Sequence, residues 1–299
     1  MVRLEIKKNV QSFLFVISVF LLYTVFLFGD SGAVLMDGTS TTIIGAIWNK
    51  FHGNWLVCSD SSCIVRMYLM WTDNTYLPVL MPLLCGLPSV INYLRESETG
   101  NKKWILSRCS LKEYYSSKIV GNVISAVMIA LVSVVLYYIT LFLFFDRISI
   151  HHEAFSNIYF VLSGRMVEGA SKISWFVIWG SLVKGMLYFC IYAVTSASFC
   201  MWMAIWCKDQ YLTFGAAISL CYLQNRVVEE LIRKYVLDGI TRAGVIADVL
   251  NPTFLHFAGN SGFYQEKEWL AVVISILLIC FHYFMIIWLS QRRFDLSEG

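Results

Sequence analysis

Charge is what this chain has least of. Only 14% of its 299 residues are Asp, Glu, Lys or Arg, whereas 58% are hydrophobic and the mean hydropathy is +0.65. A soluble domain carries about 25% charged residues, so an ordinary water-soluble fold is excluded and an integral membrane protein is implied. Also missing is any G-x-x-x-x-G-K-[ST] phosphate loop, so ATP hydrolysis by that route is not expected here. No two cysteines form a C-x-x-C pair, which leaves zinc and thioredoxin-like chemistry without support. Cys85, Cys190, Cys200, Cys207, Cys221 and Cys280 lie in or at the ends of apolar runs, where thiols act as small hydrophobes. No Asp or Glu falls inside an apolar run, and Lys184 is the one basic residue that does. Proton- or sodium-coupled transport therefore has few groups to work with. The first apolar run is too long, and lacks the small-residue site, for a removed signal peptide. There is no internal repeat, low-complexity segment or separate soluble domain.

What is present is a series of apolar runs. About 20 such residues cross about 30 Å of hydrocarbon. Six spans are expected, at about 10–29, 76–94, 119–145, 184–207, 211–228 and 269–290. The fold class is then all-α, one polytopic membrane domain over 1–299. The fourth run begins at Trp175, too early for one upright helix. Trp175–Val183 is expected at the outer interface, with Lys184 snorkelling outward; a charge lining a path is the alternative. The fifth run is short, because Gln224, Asn225 and Arg226 follow only thirteen mostly apolar residues. Gln224 and Asn225 are candidates for a path or interface. Val227–Leu237 places Val227, Val228, Leu231, Ile232, Tyr235 and Val236 at helical spacing, which predicts an amphipathic interfacial helix.

Lys and Arg orient such a chain through their density near the span ends. With both termini cytoplasmic, twelve fall inside, crowding the span ends: Arg3, Lys7, Lys8, Arg95, Lys102, Lys103, Arg108, Lys112, Lys118, Lys208, Arg292 and Arg293. Ten fall outside, Arg226 at the end of the fifth run and nine spread over outer loops 30–75, 146–174 and 229–268. In the first of these loops, Cys58 and Cys63 flank four polar residues. A disulfide there and two free thiols are both open.

The inside has one substantial loop, residues 95–118, RESETGNKKWILSRCSLKEYYSSK. Gly100 is placed to break the helix leaving the second span. Ser110 and Glu113 form an S-x-x-E capping box, so a helix is predicted to start there and run through Lys118 into the third span. Between them Trp104, Ile105 and Leu106 stand among Lys102, Lys103 and Arg108, a short amphipathic segment suited to docking in a partner's groove.

The order Glu96, Glu98, Gly100, Ile105-Leu106, Ser107-Arg108, Tyr114-Tyr115, Lys118 and then a span resembles the permease subunits of ATP-binding-cassette exporters of the six-helix class. Asn251-Pro252, ahead of the last span, resembles a recurrent Asn-Pro of the same permeases. The motif covers about a tenth of the chain, with Asn101 where a Thr often follows the Gly, and with a long first outer loop. The resemblance implies that 95–118 is a coupling segment seated on a separate cytoplasmic ATPase. The coupling residues would be Glu96, Glu98, Gly100, Trp104, Ile105, Leu106, Arg108, Ser110, Glu113 and Lys118. It further implies a second permease chain, identical or not, in a bacterial plasma membrane. ATP and Mg would sit on the partner, with no cofactor or metal in this chain and no nucleic acid bound.

Rival expectations come from other classes. Glu229-Glu230-x-x-Arg233 approaches the E-E-x-x-x-R element of the CAAX-protease-like membrane family, but one residue short, which turns Arg233 by about 100° on a helix. His256 and His282 stand alone, and His151-His152 are adjacent, so convergent catalytic groups are not in view. A secondary transporter or channel, and an immunity or sensor subunit, are the remaining alternatives.

Overall fold

The computed structural model describes residues 1–34, 40–52, 76–145, 175–237 and 268–295. Within these the chain is helical except for one short strand pair. Helix α1 (Val2–Val10) ends at Gln11, and Ser12 caps α2 (Phe13–Phe28) by accepting from the Phe15 amide at 3.2 Å. Strands β1 (Asp30–Val34) and β2 (Ser40–Thr42) pair antiparallel, with Val34 opposite Ser40, and lead into α3 (Ile43–Phe51). Helices α4 (Leu77–Glu98), α5 (Asn101–Leu106) and α6 (Leu111–Phe144) follow. After them come α7 (Trp175–Cys207), α8 (Gln210–Leu237) and α9 (Glu268–Asp295).

Three described helices are long and apolar enough to cross a membrane: α6, α7 from Leu182, and α9 over Val272–Leu289. A fourth span results if α1 and α2, bent by 56° at their junction, are taken as one. The protein is therefore an α-helical, membrane-embedded chain.

Helix α7 is the most enclosed of the three and packs against α4, α6, α8 and α9. Its Phe189 ring lies 5.7 Å from Phe26 of α2, which lies 5.5 Å from Tyr137 of α6, so three helices share one aromatic centre. In lipid no hydrophobic force drives helices together, and close packing with interhelical hydrogen bonds takes its place. Tyr23 and Thr140 hydroxyls accordingly meet at 2.7 Å, and Ser133 donates to the Val19 carbonyl at 3.1 Å. Gly86 of α4 serves the same end, since a Cβ there would stand 2.9 Å from the Cys200 Cβ. Between α7 and α8 the chain turns through Lys208, in the left-handed region at φ 57°, and Asp209, whose carboxylate accepts from the Leu212 amide at 2.9 Å.

One expectation needs correction and two need extending. The stretch 30–75 is not all loop, because it holds the strand pair and α3. Trp175–Val183 belongs to the same helix as the run that follows it, α7, whose membrane-length apolar part begins at Leu182, beside the expected start at Lys184. Val227–Leu237 is helical as expected, and it is continuous with the fifth run: the polar Gln224–Arg226 have no helix-breaking backbone preference, and α8 runs 28 residues. Cys58 and Cys63, His151-His152, Asn251-Pro252 and His256 lie outside the described residues.

Candidate functional site

The polar stretch after α4 takes its shape from local rules. Thr99 ends α4 by donating from its amide and its hydroxyl to the Arg95 carbonyl, at 2.9 and 2.8 Å. Gly100 then adopts φ 72°, a conformation an L side chain resists, and redirects the chain into α5. The Ser107 amide closes α5 on the Lys103 carbonyl at 3.1 Å. At Ser110 the capping box is complete: the Glu113 amide donates to Ser110 Oγ at 3.2 Å, and the Ser110 amide donates to the Glu113 carboxylate at 3.1 Å. A six-residue helix is thus suspended between two long ones.

Its two faces differ. Ile105 and Leu106 are half-buried against the cluster that contains Tyr93, Tyr114 and Tyr115. Lys102 donates to the Tyr115 hydroxyl at 2.9 Å, and its ammonium stands 5.4 Å from the Tyr115 ring centre. On the other face Trp104 is 58% exposed, with the Arg108 guanidinium 3.8 Å above its ring. Glu98, Ser110 and Glu113 are also exposed.

Glu96 and Lys118 belong to neither face. They point into the bundle, where they meet α1 in a buried ionic cluster. The Lys118 ammonium lies 2.6 Å from Glu96 Oε2 and 2.8 Å from Glu5 Oε2. The second Glu96 oxygen pairs with Lys8, and the Tyr114 hydroxyl donates to Glu96 Oε2 at 3.0 Å. Two carboxylates and two ammonium groups make the set neutral, which suits its burial: an unpaired charge there would cost several kcal/mol. Burial acts to raise the Glu96 carboxyl, but the Lys118 and Lys8 ammonium groups outweigh it and hold the carboxyl below its ordinary value of 4.5. Gly121 makes room for this contact, because a Cβ there would stand 3.2 Å from both Asn9 Nδ2 and Glu5 Cβ.

Hydrogen bonds extend the cluster along the bundle. Asn92 of α4 donates to Asn9 Oδ1 at 3.0 Å, Ser89 donates to Asn122 Oδ1, and Asn122 Nδ2 donates to the Tyr283 hydroxyl of α9 at 3.4 Å. One polar run therefore touches α1, α4, α6 and α9, and Lys102 joins α5 to it through Tyr115, the neighbour of Tyr114.

Of the residues singled out from sequence, Trp104, Ile105, Leu106 and Arg108 lie together on α5 and just beyond it. Glu96 and Lys118 are brought together too, but as internal struts. Lys184 is exposed, 5.8 Å from the Tyr188 ring centre. Gln224 and Asn225 fall in α8, and their side chains lie outside the description. His282 is not alone: its Nδ1 lies 2.9 Å from Ser198 Oγ, and its ring stacks on Trp202. Sequence reasoning missed Glu5, Asn9, Asn92, Asn122 and Tyr283. A signal was available in Glu5 and Asn9, which share one face of α1 and are the polar residues it buries.

Among the described residues no three His, Cys, Asp or Glu side chains group as they would around a metal ion. The cluster's chemistry is to hold elements together by charge. No family model matches the chain, and no curated protein matches it.

Proposed function

We propose that this chain is the membrane-spanning permease subunit of an ATP-driven exporter, coupled through residues 95–118 to a separate cytoplasmic ATPase of the ATP-binding-cassette class. The observation that carries the reading is α5: a short helix with Trp104 exposed and Arg108 stacked on it, braced from behind by Lys102 on Tyr115, whose neighbour Tyr114 belongs to the ionic cluster. An exposed tryptophan beside a cation is a common anchor for a partner's groove. The brace gives a push on α5 a route into α1, α4 and α6. In this reading α2, α4, α6, α7, α8 and α9 supply six spans, and both termini face the cytoplasm. Two permease chains and two ATPases then form the working unit in a bacterial plasma membrane. ATP and Mg bind the partner. The described spans are rich in aromatic side chains and poor in charge, which favours an amphipathic or apolar cargo.

The test is co-purification. The tagged full chain is extracted from its native membrane in mild detergent, and its companions are identified by mass spectrometry. A stoichiometric ATPase carrying a phosphate loop is expected with the wild type. Trp104→Ala combined with Leu106→Ala is expected to lose it while still eluting as a folded membrane protein. A wild-type chain that purifies alone, or a double variant that keeps the ATPase, removes the coupling proposal.

A further inference from the structure

The first helix carries a second, independent feature. At 100° per residue, Glu5 and Asn9 define the inward face of α1, and both are buried. Arg3, Leu4 and Lys7 lie opposite them, and all three are exposed, Leu4 to 70%. The one acid on this helix is therefore turned inward, where Lys118 neutralises it at 2.8 Å, and Lys8 is committed to Glu96. What remains outward is two cations around a leucine, with no carboxylate on the same helix to balance them.

The surroundings say what meets that face. Helix α1 joins the apolar helix α2 across only Gln11 and Ser12, at a bend of 56°. The first turns of α2 expose Phe13 and Val16, and Phe20 lies one turn further on. A cationic, leucine-bearing helix that turns away from the start of a lipid-facing helix lies at headgroup level, where its apolar side chain and its charges are satisfied together.

We infer that the outward face of α1 is a docking surface for anionic phospholipid headgroups, with Arg3 and Lys7 taking the phosphates and Leu4 entering the acyl boundary. A Lys or Arg held at an anionic membrane surface strengthens binding by roughly fivefold, and Debye screening limits the effect to within about 10 Å at ordinary salt. Lipid charge would thereby steady α1, and through Glu5 the ionic cluster.

The experiment uses the full chain in nanodiscs of phosphatidylcholine alone and of phosphatidylcholine mixed with phosphatidylglycerol. Amide hydrogen exchange is followed in the peptide covering α1, with the peptide covering the start of α6 as an internal standard. Exchange across α1 is expected to slow about fivefold or more when phosphatidylglycerol is present, and the gain is expected to shrink in high salt. Arg3→Gln with Lys7→Gln should abolish the gain. Arg3→Lys with Lys7→Arg, which keeps both charges, should retain it, which separates lost lipid contact from lost folding. Equal exchange of wild-type α1 in both bilayers, or an undiminished gain in the neutralised variant, overturns the proposal. None of these readouts involves an ATPase, so they stand or fall apart from the exporter reading.

Discussion

Replacing Lys118 with methionine is the sharpest probe of the ionic cluster. The side chain keeps nearly the same length and fits the same space, but the ammonium between Glu5 and Glu96 is gone. Both carboxylates are more than nine-tenths buried, at 9% and 7% exposure. Only Lys8, itself 42% exposed and paired with Glu96, remains to offset them. Removing one partner of a buried ion pair costs about 3–5 kcal/mol, because the partner's charge stays behind unpaired. At about 2 °C per kcal/mol for a chain of this size, the melting temperature should fall by about 6–10 °C. A thiol-reactive dye suits the assay once Cys109, Cys207 and Cys280 are replaced by serine, since Cys85, Cys190, Cys200 and Cys221 are buried and gain access to the dye on unfolding. Lys112→Met, at an exposed position in the first turn of α6, should change stability by less than about 0.5 kcal/mol. Adding Glu96→Gln to Lys118→Met should recover part of the loss, because one stranded charge is removed. A Lys118→Met protein that melts within about 2 °C of the wild type would show that the carboxylates do not depend on this lysine, and the reasoning built on the cluster would fail.

Two further outcomes follow from the same geometry. The Glu96 carboxyl is lowered in the folded chain relative to its ordinary 4.5. Its contribution to stability is then fully present above the unfolded value and is lost as pH falls through the folded one. Melting curves of the wild type should therefore drop as pH is lowered below about 4.5, and Glu96→Gln, destabilised at neutral pH, should show a shallower drop; equal slopes would remove Glu96 as the titrating group. Gly121→Val places methyl groups where Glu5 and Asn9 already sit. Overpacking of this kind costs about 1–3 kcal/mol, and hydrogen exchange should rise across α1 while the α2–α6–α7 aromatic centre stays protected; unchanged exchange in α1 would count against the close approach.

The parts of this molecule legible in the sequence are those decided within a few residues. The stop at Gly100 and the start at Ser110 rest on a backbone preference and on a box spanning four positions, and both occur as expected. What escaped was long-range. Lys8 and Glu96 are 88 residues apart, and Asn122 and Tyr283 are 161 apart, so no local pattern announces either contact. Counting charges for orientation treated Lys8 and Lys118 as free cations at the span ends, whereas the fold sets both against carboxylates. The same long-range pairing changes the meaning of Glu96, which sits in a segment that looked wholly presented to a partner and in fact faces inward. The continuity of α7 and α8 beyond their apolar runs was not foreseen for another reason. Hydropathy marks where a helix meets lipid, and a helix held by tertiary contacts continues past that boundary without any change of backbone.

Helix α6 also has a mechanical consequence. Its 34 residues make a rod of about 51 Å, longer than the roughly 30 Å of hydrocarbon it crosses. Ile129 and Ala130, both fully buried, lie near its midpoint and form a natural fulcrum. Lys118 lies eleven residues from Ile129, about 17 Å along the axis, so a tilt of about 10° carries it about 3 Å. That travel exceeds the 2.6 and 2.8 Å separations of its two ion pairs. Keeping both pairs through such a tilt requires Glu5 on α1 and Glu96 on α4 to move with the rod.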